Sequence, residues 1–459
     1  MDTTLRKITC LLLIVGTLSL VYWPRVYREG FFIPLRYDLI FSIATFVFAI
    51  EFIGQFIFKK ITLGKLELRI YLILFALIVS ILLATLISFI RYGLEFNLVG
   101  VTSLCKLLIG VGVFVAIYHT VIQSRNYKLY KVLSWALILP NLFLIPFMFF
   151  PSLSEKLSLL GPGYRFQGFT INSGAMNLLT IIAFSYFYSF LMADLFVNRK
   201  YFRSILYLFL VIGIASVIFW SQSRSFVIAM FIIAIFTTLF YGIHFKVKPA
   251  KVIICSLLGV IFIVSAFFLI PENAQKYFIL GRILGVTDEK MQEVELKNAP
   301  IASAPVINAT IHDSPIQYAS IKNIKEYGVS LQTFNRVIGN DPRVTMWKHF
   351  LPLMSDNPLG LGVNYQPKFN YKWMYPLPPV FILNVWAWGG MVAVFCLCYL
   401  LWQALIRLRS DKLLQTNNEL IPYQVGAVSA LIIAWFISFF YGLPLDYIGF
   451  WIISALALI

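Results

Sequence analysis

The 459-residue sequence is short of charge: only 12% of its residues are Asp, Glu, Lys or Arg, and 60% are hydrophobic. A soluble chain carries about 25% charged residues, so this composition excludes a soluble protein of ordinary surface. Histidine is scarce as well. The four present (His119, His244, His312 and His349) are scattered, and no His/Cys/Asp group has metal-ligand spacing, so no metal site is expected. The five cysteines (Cys10, Cys105, Cys255, Cys396 and Cys398) all fall in apolar stretches. A thiol there behaves as a small hydrophobe, which argues against disulfides and CxxC metal sites. There is no Walker loop, and no dinucleotide fingerprint opens a helix after a strand. ATP-driven and redox chemistry are therefore not expected, and no cofactor is implied.

What the sequence has is apolar length. A spanning helix needs about 20 mostly apolar residues, and qualifying segments lie near 8–23, 38–58, 69–90, 99–122, 132–150, 171–196, 203–220, 225–243, 251–270, 377–406, 420–441 and 444–459. Aromatic residues make up 17%, as lipid-facing and interfacial segments favour. The reading is an all-α polytopic membrane protein of about 12 transmembrane helices. Its basic N-terminus and apolar run from Ile8 lead into Tyr22-Trp23-Pro24, not into a small-residue cleavage site, so the first span is read as uncleaved.

Loop charge sets the sidedness. Loops after even-numbered spans carry Lys59, Lys60, Lys65, Arg69, Arg125, Lys128, Lys131, Arg199, Lys200, Arg203, Lys246, Lys248, Lys251, Arg407, Arg409 and Lys412. The opposite short loops carry Arg25, Arg28, Arg36, Arg91, Lys156, Arg165 and Arg224. By the positive-inside rule, sixteen against seven puts the even loops and both termini in the cytoplasm. This also accounts for much of the net charge of +17 without a nucleic-acid partner. The organisation is then 1–270, nine transmembrane helices; 271–376, a large loop on the outer face; and 377–459, three more helices. The loop holds 11 Lys+Arg and 9 Asp+Glu and reads as a small subdomain. A loop this long in a compact protein is usually functional.

Three outer-face stretches carry polar residues that a membrane protein does not need for spanning. The first runs from Gly161 through Arg165, Gly168 and Asn172 to Ala175; its bland alternative is an interfacial arginine that snorkels to headgroups. The second, Ser221-Gln222-Ser223-Arg224-Ser225, is a polar hinge between two apolar runs, and a guanidinium there needs partners or water. The third runs from Asp341 to Gly362. Asp341 reads as an N-cap, Pro342 as the first helical residue, and Asn357-Pro358 as the stop. Val344, Trp347, Leu351 and Met354 would share one apolar face, and Arg343 would stand in the first turn, where backbone N–H groups favour anions. Its bland alternative is a surface pair between Arg343 and Asp341. Arginine is suited to phosphate because its fork binds two oxygens and it stays charged. Lys106, about two turns inside the fourth span, is a further candidate, with outward snorkelling as the alternative.

At these residues the chain resembles the O-antigen polymerase and ligase superfamily of bacterial surface-glycan assembly. The matching features are Arg165, Gly168 and Asn172 before a mid-chain span; Ser223-Arg224; Arg343 with Trp347 four later; and Pro358, Gly360 and Gly362. The resemblance covers roughly 160–400. It implies a GT-C-like architecture in the bacterial inner membrane, with the active site facing the periplasm. It also implies an undecaprenyl-pyrophosphate-linked glycan donor, a lipid-linked acceptor and a chain-length regulator protein as a further partner. Ligases of the superfamily place a histidine-asparagine pair before the span after the large loop. Here that position reads Pro378-Pro379, which shifts the expectation from ligase to polymerase, as in lipopolysaccharide biosynthesis.

In that reading Arg224, Arg343 and Arg165 are catalytic and stabilise a leaving pyrophosphate. Arg282, Asn172, Lys106 and Trp347 bind substrate, and Asp341, Asp313 and Asp446 are candidates for a base. A ligase moving the glycan to lipid A core or protein is one alternative, and a lipid-linked oligosaccharide flippase or transporter is another. Against the transporter, most span centres read as apolar, and Glu51 and Asp194 lie towards the cytoplasmic ends.

Overall fold

The computed structural model describes residues 2–20, 37–58, 63–92, 98–124, 126–156, 159–161, 165–166, 173–279, 351–352, 355–363, 381–409, 419–438 and 448–459. Helices are α1 (Asp2–Ser19), α2 (Tyr37–Ile57), α3 (Lys65–Tyr92), α4 (Leu98–Ser124), α5 (Tyr127–Leu142), α6 (Pro146–Phe149) and α7 (Pro151–Lys156). A two-residue antiparallel pair follows, β1 (Leu160–Gly161) and β2 (Arg165–Phe166). Then come α8 (Ser173–Ala193), α9 (Tyr201–Trp220), α10 (Arg224–His244), α11 (Pro249–Phe267), α12 (Glu272–Tyr277), α13 (Phe381–Arg409), α14 (Ile421–Ser438) and α15 (Ile448–Leu458).

A helix occupies each of the twelve apolar segments. Among the described residues, nine helices are long and apolar enough to cross a membrane; α14 and α15 are shorter apolar helices. The fifth segment differs from a single uniform span. Its helix α5 contains Pro140, ends at Leu142, and a turn precedes α6. Proline lacks the N–H that would continue the ladder and clashes with the preceding turn.

The helix α8 is the axis of its half of the bundle, packed by α5, α9, α10 and α14. Its apolar stretch is 94% buried, against 22% for α11. Its interior is more polar than a hydropathy profile shows. Ser185 Oγ donates to the Gly426 carbonyl at 2.8 Å, Tyr188 and Thr238 share a hydrogen bond at 3.0 Å, and Ser189 and Tyr241 share one at 3.1 Å. These hydroxyl bonds tie α8 to α10 and α14 where neighbouring apolar chains give no hydrophobic drive to associate.

One end of the bundle is closed by ion pairs. Arg203 binds Asp194, Arg6 bonds Glu51 at 3.0 Å, and Lys131 bonds Glu419 at 2.6 Å. The Lys131 ammonium holds the Glu419 carboxyl below the usual carboxylate range. Arg407 reaches the Tyr118 hydroxyl and the carbonyls of Leu458 and Ile459. The carboxylates Glu51 and Asp194 are thus structural partners. Asp194 opens a π turn to Asn198, whose side-chain amide also donates to it at 2.9 Å, and Arg199 closes that turn in the left-handed region. Asp194 is buried while Arg203 is 43% exposed. Arg203→Ala therefore leaves a buried carboxylate short of its counter-charge, at a cost on the order of 3 kcal/mol. Asp194→Asn is the milder change. Thermal unfolding in detergent should show that order.

Candidate functional site

At the opposite end, α9 passes into α10 through three residues. Ser221 caps α9, Gln222 is buried with φ 56°, and Ser223 is extended before Arg224 begins α10. The polar hinge read as five residues is therefore three, because Arg224 and Ser225 are already helical. A left-handed glutamine costs about 1–2 kcal/mol, where glycine is the usual residue after a helix C-cap. The turn is held by Ser221 N–H to Val217 O at 3.1 Å, Gln222 N–H to Phe219 O at 2.9 Å, and Ser221 Oγ to Ile218 O at 2.6 Å. Arg224 is exposed at the first helical position, beside backbone N–H groups without helical acceptors.

Aromatic packing fixes this hinge from two sides. Phe219 packs edge-on against Phe267 and Phe278, with centroids at 5.6 and 5.9 Å. Trp220 stacks on Phe166 at 4.7 Å with the rings only 19° from parallel, and both are buried. Phe166 is the residue after Arg165 in β2, whose partner strand pairs Gly161 with Arg165 and Leu160 with Phe166. The stack therefore brings the backbone of Arg165 to the end of α9, four residues before Arg224. The Arg165 side chain lies outside what is described.

The glycine-rich turn of the third stretch has a definite place. Helical residues at 351–352 and 355–356 give way to a turn after Asn357, as the Asn-Pro pair predicts. Residues 358–363 then plug a break in α13. Gly390 has φ 68° inside that helix, the Met391 N–H donates to Pro358 O at 2.9 Å, and the Leu361 N–H donates to Ala387 O at 2.6 Å. The Val363 N–H donates to Thr85 Oγ1 of α3 at 3.2 Å. Backbone groups freed by the break are thus bonded to the plug, as apolar surroundings require. Thr85 and the α13 break had no signal in the sequence, because their partners lie far along the chain.

Lys106 is half-buried in α4, and among the described residues it has no hydrogen-bond or ion-pair partner. Helix α4 packs chiefly on α15 and α2, whereas α10 packs on α8, α11 and α14. Lys106 and Arg224 thus stand on helices with different main packing partners. Asn172, Arg282, Asp313, Asp341, Arg343, Trp347 and Asp446 lie outside the described residues, as do Gly168 and Pro378-Pro379. Among the described residues no cluster of His, Cys, Asp or Glu could hold a metal.

Among the described residues, nine helices of membrane-spanning length and apolarity define a polytopic membrane protein. Residues 207–398 match the family model described as O-antigen ligase. That segment supports the O-antigen polymerase and ligase superfamily for this chain, and with it an enzyme of glycan transfer. It runs from within α9 to within α13 and so includes the hinge, Arg224, the plug and Gly390; Arg165 and Asn172 precede it. Comparison with curated proteins and with solved structures gave no match.

Proposed function

We propose that the protein polymerises undecaprenyl-pyrophosphate-linked oligosaccharide repeat units on the periplasmic face of the inner membrane, without a metal. An acceptor hydroxyl attacks the anomeric carbon of the donor glycan. The new carbon–oxygen bond forms as the bond to the pyrophosphate breaks. The leaving group takes the electron pair, and the hydroxyl proton passes to a carboxylate or to water. Charge accumulates on the departing diphosphate, where arginines already in position stabilise it. Arg224, Arg343 and Arg165 have this role, with Arg282, Asn172, Trp347 and Lys106 as substrate contacts and Asp341, Asp313 or Asp446 as the base.

The observation that supports this best is the Phe166–Trp220 stack, which ties the strand of Arg165 to the hinge of Arg224 inside the family-matched region. The orientation assigned from loop charge puts this hinge on the periplasmic side. A flippase is less favoured, because Glu51 and Asp194 are held in ion pairs and the broken α13 is filled by its own chain. The ligase is the second reading, favoured by the description of the matching family. Reconstitution with purified lipid-linked repeat units separates the two. Polymer on the lipid carrier supports the proposal, whereas transfer only to added lipid A core overturns it in favour of the ligase.

A subtler expectation concerns Phe166. Phe166→Leu keeps most of the volume but removes the stack, worth about 0.5–1.5 kcal/mol beyond its area. Turnover should fall several-fold through looser placement of Arg165, and the melting temperature should drop by about 2–4 °C per kcal/mol lost. Phe166→Tyr keeps the ring but buries a hydroxyl at a fully buried site and should recover only part.

A further inference from the structure

A groove of about 320 Å³ lies between α9 and α11, floored by α8, at the end of the bundle away from the hinge. Tyr201, Ile205 and Leu208 line one wall, Leu258 and Phe262 the other, and Tyr188 the floor. Two of the polar groups at its wall and floor are already engaged, Tyr188 with Thr238 and Ser204 Oγ with Lys200 O at 3.1 Å, while Tyr201 is exposed at the mouth. The groove thus suits a hydrocarbon chain better than a sugar or peptide. Along α9 it runs from Tyr201 to Val211, about 15 Å at the helical rise, the depth of one leaflet of a bilayer whose core is about 30 Å thick. Gly259 sets its depth, because a Cβ there would fall 2.4 Å from the Tyr188 hydroxyl.

The mouth is cationic. Both walls begin there, with Lys200 and Lys248 as N-cap residues that make no side-chain cap bond. Arg199, Lys200, Lys248 and Lys251 are exposed around it, and Lys251 also donates to Leu195 O at 3.0 Å. The nearby carboxylates are neutralised, Asp194 by Arg203 and Glu419 by Lys131. Two helix N-termini and a ring of cations favour a negative group at the head of an apolar slot.

We propose that this groove holds one acyl chain of an anionic glycerophospholipid, with the phosphate headgroup at Lys200, Lys248 and Lys251. This site is separate from the glycan-transfer site and does not depend on that reading. The test is native mass spectrometry of the purified full chain, titrated with phosphatidylglycerol or phosphatidylcholine of equal chain length. One phosphatidylglycerol should be retained per chain, with about tenfold preference over phosphatidylcholine. Ile205→Trp, at the groove lip, should abolish the retained molecule. Lys200→Glu with Lys248→Glu, at exposed positions that do not challenge folding, should reduce phosphatidylglycerol to the phosphatidylcholine level. Equal retention of the two lipids, or undiminished retention in either folded variant, overturns the proposal.

Discussion

Arg224→Ala should lower polymer formation by about 10²–10³-fold, the loss that follows removal of one preorganised donor to developing negative charge. The residue is exposed at the first position of α10, so truncation leaves no cavity, and the hinge is held by backbone bonds and by Phe219 and Trp220. The variant should insert and melt like the parent. Arg224→Lys should recover little, because lysine keeps the charge without the planar fork that binds two oxygens. Arg343→Ala should behave in the same way. The measurement is single-turnover glycan transfer in proteoliposomes with purified lipid-linked repeat units. Normal polymer from a folded Arg224→Ala or Arg343→Ala protein would remove the arginine mechanism.

The second large effect is on assembly. Gly390→Val places a branched side chain at φ 68°, with its Cβ 2.3 Å from the Pro358 oxygen and 2.4 Å from the Leu359 carbonyl carbon. Neither is a flexible side chain that can swing away. The conformation costs about 1–3 kcal/mol, and the overlap about 1–3 kcal/mol more. The plug has to leave the break, and backbone groups of α13 lose their acceptors in apolar surroundings. Gly360→Val should be comparable, since its Cβ would lie 2.5 Å from the Gly390 nitrogen. Gly54→Ala is the control, with nothing within 4 Å of the added carbon. Yield of monodisperse protein and its unfolding temperature should drop sharply for the first two and hold for the third.

Helix positions were legible because each span is a long apolar run, and hydropathy reads such runs without knowing what they pack against. The limits of that reading show at particular residues. Ser185, Ser189 and Thr238 barely disturb a hydropathy window, so the hydroxyl bonds around α8 stayed hidden. Arg203 lies nine residues beyond Asp194, a spacing that pairs only because a π turn and a left-handed Arg199 reverse the chain between them. Arg165 and Arg224 stood out as unexpected cations in apolar contexts. Their link runs through Phe166 and Trp220, two aromatics indistinguishable in sequence from the many others. The glycines at 360 and 362 carried a family pattern, while the physical need behind it is a close approach to Gly390 and Thr85, far apart in the chain. Arg343, named from its expected helix start and from the resemblance, lies outside the described residues.

The two fastenings on either side of the long segment between α12 and the plug have a practical consequence. Upstream, Phe278 is locked among Phe219 and Phe267; downstream, the turn from Pro358 to Val363 is bolted into α13 and α3. What lies between is bracketed by rigid joints, so a swap of that stretch for a cousin's counterpart should leave the bundle intact. Under the proposed function, such chimaeras are expected to carry the donor's glycan preference with them.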